Sequence, residues 1–477
     1  MSDREEHSIS KNVPQIAEGE LGNLMKLGVP LMGAQLAQML MGVLDTVMAG
    51  RLSAVDLAGI ALGGNVLWPV MLMMMGFLQA VTPTVSQLNG ARRQEEVGEV
   101  IRQALWLALL AAVIICTWIR HAEPFYHLMS VDPAAVKVSV PYLRATSWGI
   151  PAIMGYFVFR YLAEGMGYTR PTMLIACGAL LLKVPLNFIF MYGLLGAPEL
   201  GGVGCGVSTA IVMWCELIAI LIVVSQRQFR NTGLQDRFSW PIWQHIKPLL
   251  IIGAPIGATL FFEVGLFSLT TILLGRFGAE AVASHTIAMN LAGIIFMLPL
   301  ALGMASTIRI GFNIGAGEPH LARRTTWVAM QSSAAIAVVA ATLAILFRYQ
   351  VAAIYTTDPK VLQLAATLML FVAAFQLFDA TQATALGALR GYKDTRIPML
   401  ITMFGYWVVG LPVGCVLGFG WIAKAMGIYG FWIGLVAGLA IVCAALNYRL
   451  WLVSKDDRLI QKLSGFKDEL QSNDRTG

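Results

Sequence analysis

Two stretches of this sequence decide how the chain folds: GVPLMGAQLAQMLMGVLDTVMAGR at residues 28–51 and GAPIGATLFFEVGLFSLTTILLGR at residues 253–276. Both are long and mostly apolar, and about twenty apolar residues are enough to cross the hydrocarbon core of a bilayer as a helix. Both also begin with Gly-x-Pro and end with Gly-Arg in the same frame. The two stretches therefore predict membrane helices and an internal repeat.

The rest of the chain has the composition of a membrane protein. Of 477 residues, 57% are hydrophobic and 13% are charged, which is about half the charged share of an ordinary soluble domain. Apolar runs separated by short polar stretches predict twelve spans. These are 24–49, 56–80, 98–119, 139–162, 172–194, 203–225, 248–274, 282–307, 325–347, 361–387, 398–420 and 427–452.

The repeat extends beyond the two opening stretches. At the same offset Asn65 aligns with Asn290, and Thr82 aligns with Thr307. Six spans per half place both halves in the membrane in the same direction, as in transporters built from parallel repeats. We therefore expect an all-α membrane protein with twelve transmembrane helices, in two pseudo-symmetric six-helix lobes around a central cleft. The expected segments are an N-terminal tail (1–23), a first lobe (24–225), a linker (226–247), a second lobe (248–452) and a C-terminal tail (453–477).

The basic residues predict the orientation of the chain. Of the 33 Lys and Arg residues, 24 lie on the side of the termini and the central linker, eight lie on the other side, and Lys183 lies within a span. Cytoplasmic loops carry the excess of Lys and Arg. Both tails and the linker are therefore expected in the cytoplasm. Because the formal charge of +6 comes from residues at the ends of spans, it does not indicate a nucleic-acid partner.

Three acidic residues fall inside the predicted spans: Asp45, Glu263 and Asp379. Ionisable groups at bilayer depth are costly and usually serve an ion or substrate pathway. Carboxylate oxygens can hold Na⁺ or carry H⁺, so Glu263 and Asp379 are a candidate Na⁺ site, with no obvious base in their own half. The alternative is an ion pair with a buried base, for which Lys183 is the candidate.

Other polar and aromatic residues in the spans are candidates for contact with substrate. Gln35, Gln38 and Asp45 share one face of the first span, where the glutamines suit either a helix–helix seam or a cavity. His285 is expected to be a hydrogen-bonding residue, and Glu164 and Glu216 are expected near helix ends or in local pairs. The full set of substrate-cavity candidates is Gln35, Gln38, Asn65, Asn187, Phe261, His285, Asn290 and Gln376.

Motifs of other function classes do not occur in the sequence. The six cysteines form no CxxC pair and no His/Cys cluster, which argues against a zinc site. The sequence has no GxxxxGK[ST] phosphate loop, GxSxG or HExxH motif, so neither ATP hydrolysis nor a hydrolytic enzyme is indicated. With no cofactor and no ATP, an ion gradient is the expected energy source.

Several segments together resemble the multidrug and toxic compound extrusion (MATE) family, in particular its bacterial NorM-type group. They are VLDTVMAGR (43–51), PLNFIF (185–190), FFEVGLF (261–267), ASHTIAMNL (283–291) and ALRGYKDTRIPM (388–399). The resemblance covers about residues 20–452. It implies export of fluoroquinolone- and dye-like organic cations in exchange for Na⁺ or H⁺, in a bacterial inner membrane. It also implies ion-coupling roles for Glu263, Asp379 and Asp45. The alternative reading is a lipid-linked-precursor flippase of the same superfamily, which would carry several cationic residues in its cavity.

Overall fold

The computed structural model describes residues 19–128, 132–196, 198–234, 236, 238–422 and 424–465. Most of the predicted N-terminal tail and residues 466–477 of the predicted C-terminal tail lie outside the described residues. The helices of the described chain are α1 (Glu20–Leu52), α2 (Ala54–Leu78), α3 (Val81–Gly90), α4 (Val97–Arg120), α5 (Glu123–Leu128), α6 (Pro133–Ser147), α7 (Ile150–Gly165), α8 (Thr169–Tyr192), α9 (Gly202–Val224), α10 (Trp243–Leu274), α11 (Ala279–Gly315), α12 (Pro319–Leu346), α13 (Arg348–Tyr355), α14 (Pro359–Gly391), α15 (Arg396–Met403), α16 (Leu411–Phe419), α17 (Ile428–Lys455) and α18 (Asp457–Ser464).

The described helices confirm the predicted class of all-α membrane protein. Eleven helical segments are long and apolar enough to cross a membrane, judged by length and composition. The fourth predicted span, 139–162, instead consists of α6 and α7. Pro151 lies in the first turn of α7, where it has no N–H to donate back to α6 and starts a new helix without losing a bond. The two shorter helices thus occupy the place of the twelfth span.

The chain divides into two compact units. The first unit contains Val29–Gly257, and the second contains the described residues 19–28 and 258–465. The two boundaries fall inside α1 and α10, so each of these helices has its first turns in one unit and its remainder in the other. The lobes 24–225 and 248–452, which the repeat predicts, remain a prediction.

Within the first unit, small residues let helices pack closely. A Cβ atom on Gly76 of α2 would lie 2.5 Å from the Cα of Gly257 on α10. Close backbone approach at small residues is a major source of helix association in membranes, where apolar side chains gain little from leaving lipid. These glycines therefore fix the first turns of α10 against α2.

Within the second unit, the main apolar core surrounds the end of α14. Its buried members include Leu389, Tyr392, Tyr406 and Leu439, and Phe267 and Phe378 pack against it. Phe267 and Phe378 are close in sequence to the two predicted coupling acids of this half, Glu263 and Asp379. The core therefore determines how the helices that carry those acids are oriented.

Candidate functional site

The two carboxylates predicted to bind a coupling ion lie together in the second unit. Asp379 on α14 is buried, and Glu263 on α10 is partly buried. Glu263 is close enough for its negative charge to repel a negative charge on Asp379. Two neighbouring carboxylates repel each other unless a bound cation or proton reduces their negative charge. The site is therefore built to attract a small positive charge.

A tyrosine on a π-helical segment completes this pair. The segment Phe404–Gly410 follows α15 and has π-helical hydrogen bonding, a geometry that is frequent at functional sites. Its Tyr406 hydroxyl donates a hydrogen bond to Glu263 and accepts one of 2.6 Å from the Gln382 Nε2 atom. The Trp407 Nε1 atom donates a 3.1 Å hydrogen bond to the carbonyl oxygen of Phe262. These bonds fix the orientation of Glu263 relative to α14.

The expectation that no base lies near Glu263 within its own half is wrong. Arg390, near the end of α14, places a positive charge close enough to act on Glu263. The sequence did not reveal this because Arg390 lies eleven residues beyond Asp379, in a segment read as a cytoplasmic helix end. Two carboxylates and one guanidinium leave the group one positive charge short of neutrality.

The Lys183 side chain pairs with Asp45 rather than with Glu263 or Asp379. The Lys183 Nζ atom lies 3.1 Å from Asp45 Oδ2, in the first unit. The Asn187 Nδ2 atom donates a 2.8 Å hydrogen bond to Asp45 Oδ1, and Lys183 also donates to the hydroxyl of Thr209. Lys183 is only 3% exposed, so it does not extend to an interface. The first-span acid is therefore compensated by a base on α8.

A second pair of buried charges lies in the first unit. Its base, Arg160, was missed from the sequence, whereas Glu164 was expected near a helix end or in a local pair, and the local pair is observed. Arg160 of α7, only 2% exposed, lies 2.7 Å from Glu164 and donates a 3.0 Å hydrogen bond to Gln35 of α1. Lys183 is thus not the only buried base among the described spans. The spacing of Arg160 and Glu164 by four residues, which places them on one helix face, was the available signal.

Glu216 of α9 is also buried, at 4% exposure. From the sequence, Glu216 was expected near a helix end or in a local ion pair. Its Oε1 atom instead has no hydrogen-bond partner among the described residues. The charges of Arg160 and Lys183 both act on it from a distance.

The remaining substrate-cavity candidates divide by exposure. Three are exposed, namely Asn65, Phe261 and Asn290, and Gln38 is partly buried. Asn187, His285 and Gln376 have almost no accessible surface. Gln376 donates a 2.9 Å hydrogen bond to the Ala292 carbonyl oxygen, and His285 Nε2 lies 3.2 Å from the Thr271 hydroxyl. In this conformation the contacts of the three buried residues join neighbouring helices.

The described residues contain no group of three or more His, Cys, Asp or Glu side chains that could hold a metal ion. A Na⁺ ion bound at Glu263 and Asp379 would therefore take its other oxygen ligands from hydroxyl, carbonyl or water groups, which suit hard cations. The six cysteines are free.

Carboxylates buried among membrane-spanning helices are typical of an integral membrane transporter. The MatE family model matches residues 30–189 and 255–416. The chain therefore belongs to the MatE family, and is a transporter of that family and not an enzyme.

Two curated relatives are similar over nearly the whole chain. Multidrug resistance protein PmpM of Pseudomonas aeruginosa is 44% identical over 436 residues, which cover 90% of this chain and 91% of the relative. Multidrug resistance protein MdtK of Yersinia pseudotuberculosis is 41% identical over 437 residues, which cover 91% and 96%.

Solved structures show the same fold. The crystal structure of the eukaryotic MATE transporter AtDTX14 has a TM-score of 0.85 at 16% identity and covers 94% of this chain and 98% of that one. The outward-facing conformation of a multidrug resistance MATE family transporter has a TM-score of 0.83 at 20% identity, with coverage of 94% and 98%. At these identities the likeness establishes the fold alone.

Proposed function

We propose that this protein is a secondary active multidrug efflux transporter that exchanges small organic cations for Na⁺ or H⁺ by alternating access. The observation that carries the proposal is the group of Glu263 and Asp379, with Arg390 as a positive charge that acts on Glu263. The names of the relatives as multidrug resistance proteins support the substrate class. Fluoroquinolone- and dye-like cations are the substrates to test first.

Ion binding drives the cycle in this proposal. An ion that neutralises Glu263 and Asp379 stabilises the conformation in which the two carboxylates are close together. The ion can shift the conformational equilibrium only by the difference between its affinities for the two states. Release of the ion on the other side of the membrane then favours the opposite conformation. Tyr406 takes part by holding one of the two carboxylates in place.

Asp45 is the third proposed coupling residue. Its carboxylate is linked to Lys183 and Asn187, so any change of charge around Lys183 alters the forces on α1. We place the protein in the bacterial inner membrane, with membrane lipids as its surroundings and both termini in the cytoplasm. ATP has no part in the mechanism.

A lipid-linked-precursor flippase is less well supported. Such a protein needs cationic side chains available to bind pyrophosphate. Among the described residues of the first unit, the buried bases are instead neutralised by carboxylates, Arg160 by Glu164 at 2.7 Å and Lys183 by Asp45 at 3.1 Å. Their charges are already compensated.

The proposal is tested by dye efflux from proteoliposomes with Na⁺ and pH gradients imposed separately. We expect at least one gradient to drive efflux, and Glu263→Gln or Asp379→Asn to weaken it while equilibrium dye binding changes less. If both ions occupy the same oxygens, a lower pH raises the Na⁺ concentration needed for half-maximal efflux. Glu280→Gln is the control, because this exposed acid makes only a surface pair of 3.7 Å with Lys360.

Two results would contradict the proposal. One is the absence of efflux under either gradient in protein that still binds dye. The other is efflux by the Glu263→Gln/Asp379→Asn double variant that keeps its dependence on both ions. The second result would move the coupling site elsewhere, with Asp45 the next residue to test.

A further inference from the structure

Five ionisable side chains inside the first unit form two ion pairs and one unpaired carboxylate. Asp45 contacts Lys183 at 3.1 Å, and Arg160 contacts Glu164 at 2.7 Å. The fifth residue is Glu216 of α9, on which the charges of both Arg160 and Lys183 act. We refer to these five residues as the interior charge chain.

The interior charge chain is not neutral when all its members are ionised. It contains three carboxylates and two bases, so it carries one excess negative charge. An uncompensated charge in the interior of a membrane protein is unfavourable because it has lost its hydration. One monovalent cation or one proton removes the imbalance.

Glu216 is the member of the chain that lacks a direct partner. Asp45 and Glu164 each have a base within hydrogen-bond distance. Glu216 is 4% exposed, and its Oε1 atom makes no hydrogen bond among the described residues. The charge of Glu216 also acts on Tyr156. The Tyr156 hydroxyl likewise makes no hydrogen bond among the described residues. The excess negative charge is therefore least compensated at Glu216.

The surroundings of Glu216 favour a proton over Na⁺. The titratable groups that face it are Arg160 and Tyr156 on α7 and Lys183 on α8, while Tyr142 on α6 faces Asp45 instead. The two neighbouring bases oppose binding of Na⁺ and of H⁺ alike, but a Na⁺ ion also needs several oxygen ligands. A proton needs a single carboxylate oxygen.

We propose that Glu216 is a proton-binding residue of the first unit, distinct from the coupling acids Glu263, Asp379 and Asp45. It takes up one proton from water to become a neutral carboxylic acid and returns the proton to water as the carboxylate. The role of this proton in transport rests on the efflux function proposed above. The proton-binding step itself does not.

The contacts of the interior charge chain show how this proton acts on α1. Arg160 donates a 3.0 Å hydrogen bond to Gln35, and Lys183 pairs with Asp45 ten residues further along the same helix. When Glu216 is ionised, it attracts both bases away from these two contacts. When Glu216 is protonated, the bases stay with α1. The protonation state of Glu216 therefore changes how firmly α1 is held at two points.

Infrared difference spectroscopy of the purified full-length protein between about pH 6.5 and alkaline pH tests the proposal, because exposed carboxyl groups are already ionised at the lower pH. The background variant Glu263→Gln/Asp379→Asn removes the carboxyl groups of the second site. In this background we expect a carboxylic-acid C=O band that Glu216→Gln abolishes. Glu216→Asp should keep the band at a shifted frequency, because it retains an acid. Glu95→Gln, at an exposed position, should leave the band unchanged.

A band that survives Glu216→Gln, or a background variant that shows no such band, would overturn the proposal. Size-exclusion chromatography of each variant checks that it is folded, and Glu216→Asp supplies an acid-bearing comparison if the glutamine variant fails. Transport is measured separately as dye efflux. Glu216→Gln should reduce efflux driven by a pH gradient more than efflux driven by a Na⁺ gradient. A failure of efflux in the unmodified protein would count against the proposed function. The infrared result would still decide the role of Glu216.

Discussion

The Lys183 ammonium and the Asp45 carboxylate form an ion pair of 3.1 Å in the interior of the first unit, although 138 residues separate them in the sequence. Because of this ion pair, a substitution at Asp45 has two effects. On sequence grounds Asp45→Asn removes a cation-binding acid. In the structure it also leaves a buried lysine without its counter-ion.

Asp45→Asn is therefore expected to lower both export and stability. Removing one partner of a buried ion pair typically costs about 3–5 kcal/mol, so a lower Tm in detergent should accompany the loss of export. The double variant Asp45→Asn/Lys183→Met removes both charges and should recover most of the Tm. Recovery of export as well would show that Asp45 serves to neutralise Lys183. Loss of export with a recovered Tm would assign Asp45 a direct role in coupling.

Tyr406→Phe should change the affinity for the coupling ion without unfolding the protein, in a direction that differs between Na⁺ and H⁺. The substitution removes the hydroxyl that donates to Glu263 and accepts from Gln382 at 2.6 Å. A hydrogen bond to a charged group contributes about 1.5–3 kcal/mol. A hydrogen bond that favours the ionised carboxylate opposes its protonation, so its loss should lower the proton concentration for half-maximal efflux about tenfold or more. If Na⁺ is the coupling ion, the loss of the bond that orients Glu263 should instead raise the Na⁺ concentration for half-maximal efflux. Tyr448→Phe, at an exposed position of α17, is the matched control, and equal behaviour of the two variants would exclude this role for Tyr406.

Gly76→Ala is expected to reduce folding yield, because its Cβ atom would lie 2.5 Å from the Cα of Gly257. The neighbouring atoms are backbone and cannot rotate away. Gly178→Ala on α8 is the comparison, since nothing lies within 4 Å of its added methyl group and Ala is the better helix former. The measurements are membrane expression and the Tm in detergent. A Gly76→Ala variant as stable as Gly178→Ala would mean that α2 and α10 can separate at little cost.

The predicted orientation can be checked by labelling single cysteines in a background without the six native ones. Arg230 and Glu199 are both exposed, and the excess of basic residues places Arg230 inside the cell and Glu199 outside. A membrane-impermeant maleimide should label a cysteine at Glu199 in intact spheroplasts and one at Arg230 only after permeabilisation. The reverse pattern would invert the topology.

The sequence by itself determined the class of fold and the acids at bilayer depth. Lipid offers no hydrogen bonds to the backbone, so long apolar runs must become helices wherever they lie in the chain. The same solvent makes a carboxylate in such a run costly, and Asp45, Glu263 and Asp379 were identified for that reason. The matching landmarks of the two halves were also visible, because a repeat in the sequence needs no coordinates.

The tertiary structure alone decided which charges meet. The pairing of Asp45 with Lys183 depends on the rotation and register of α1 and α8, which an apolar pattern does not encode. The approach of Tyr406 to Glu263 depends on the π-helical segment at Phe404–Gly410, which a regular helical periodicity does not predict. Ion pairs and hydrogen bonds form over about 3 Å, whereas one residue of register moves a side chain 1.5 Å along a helix and about a quarter of a turn around it. For that reason the positions of the buried acids could be read from the chain, and their partners could not.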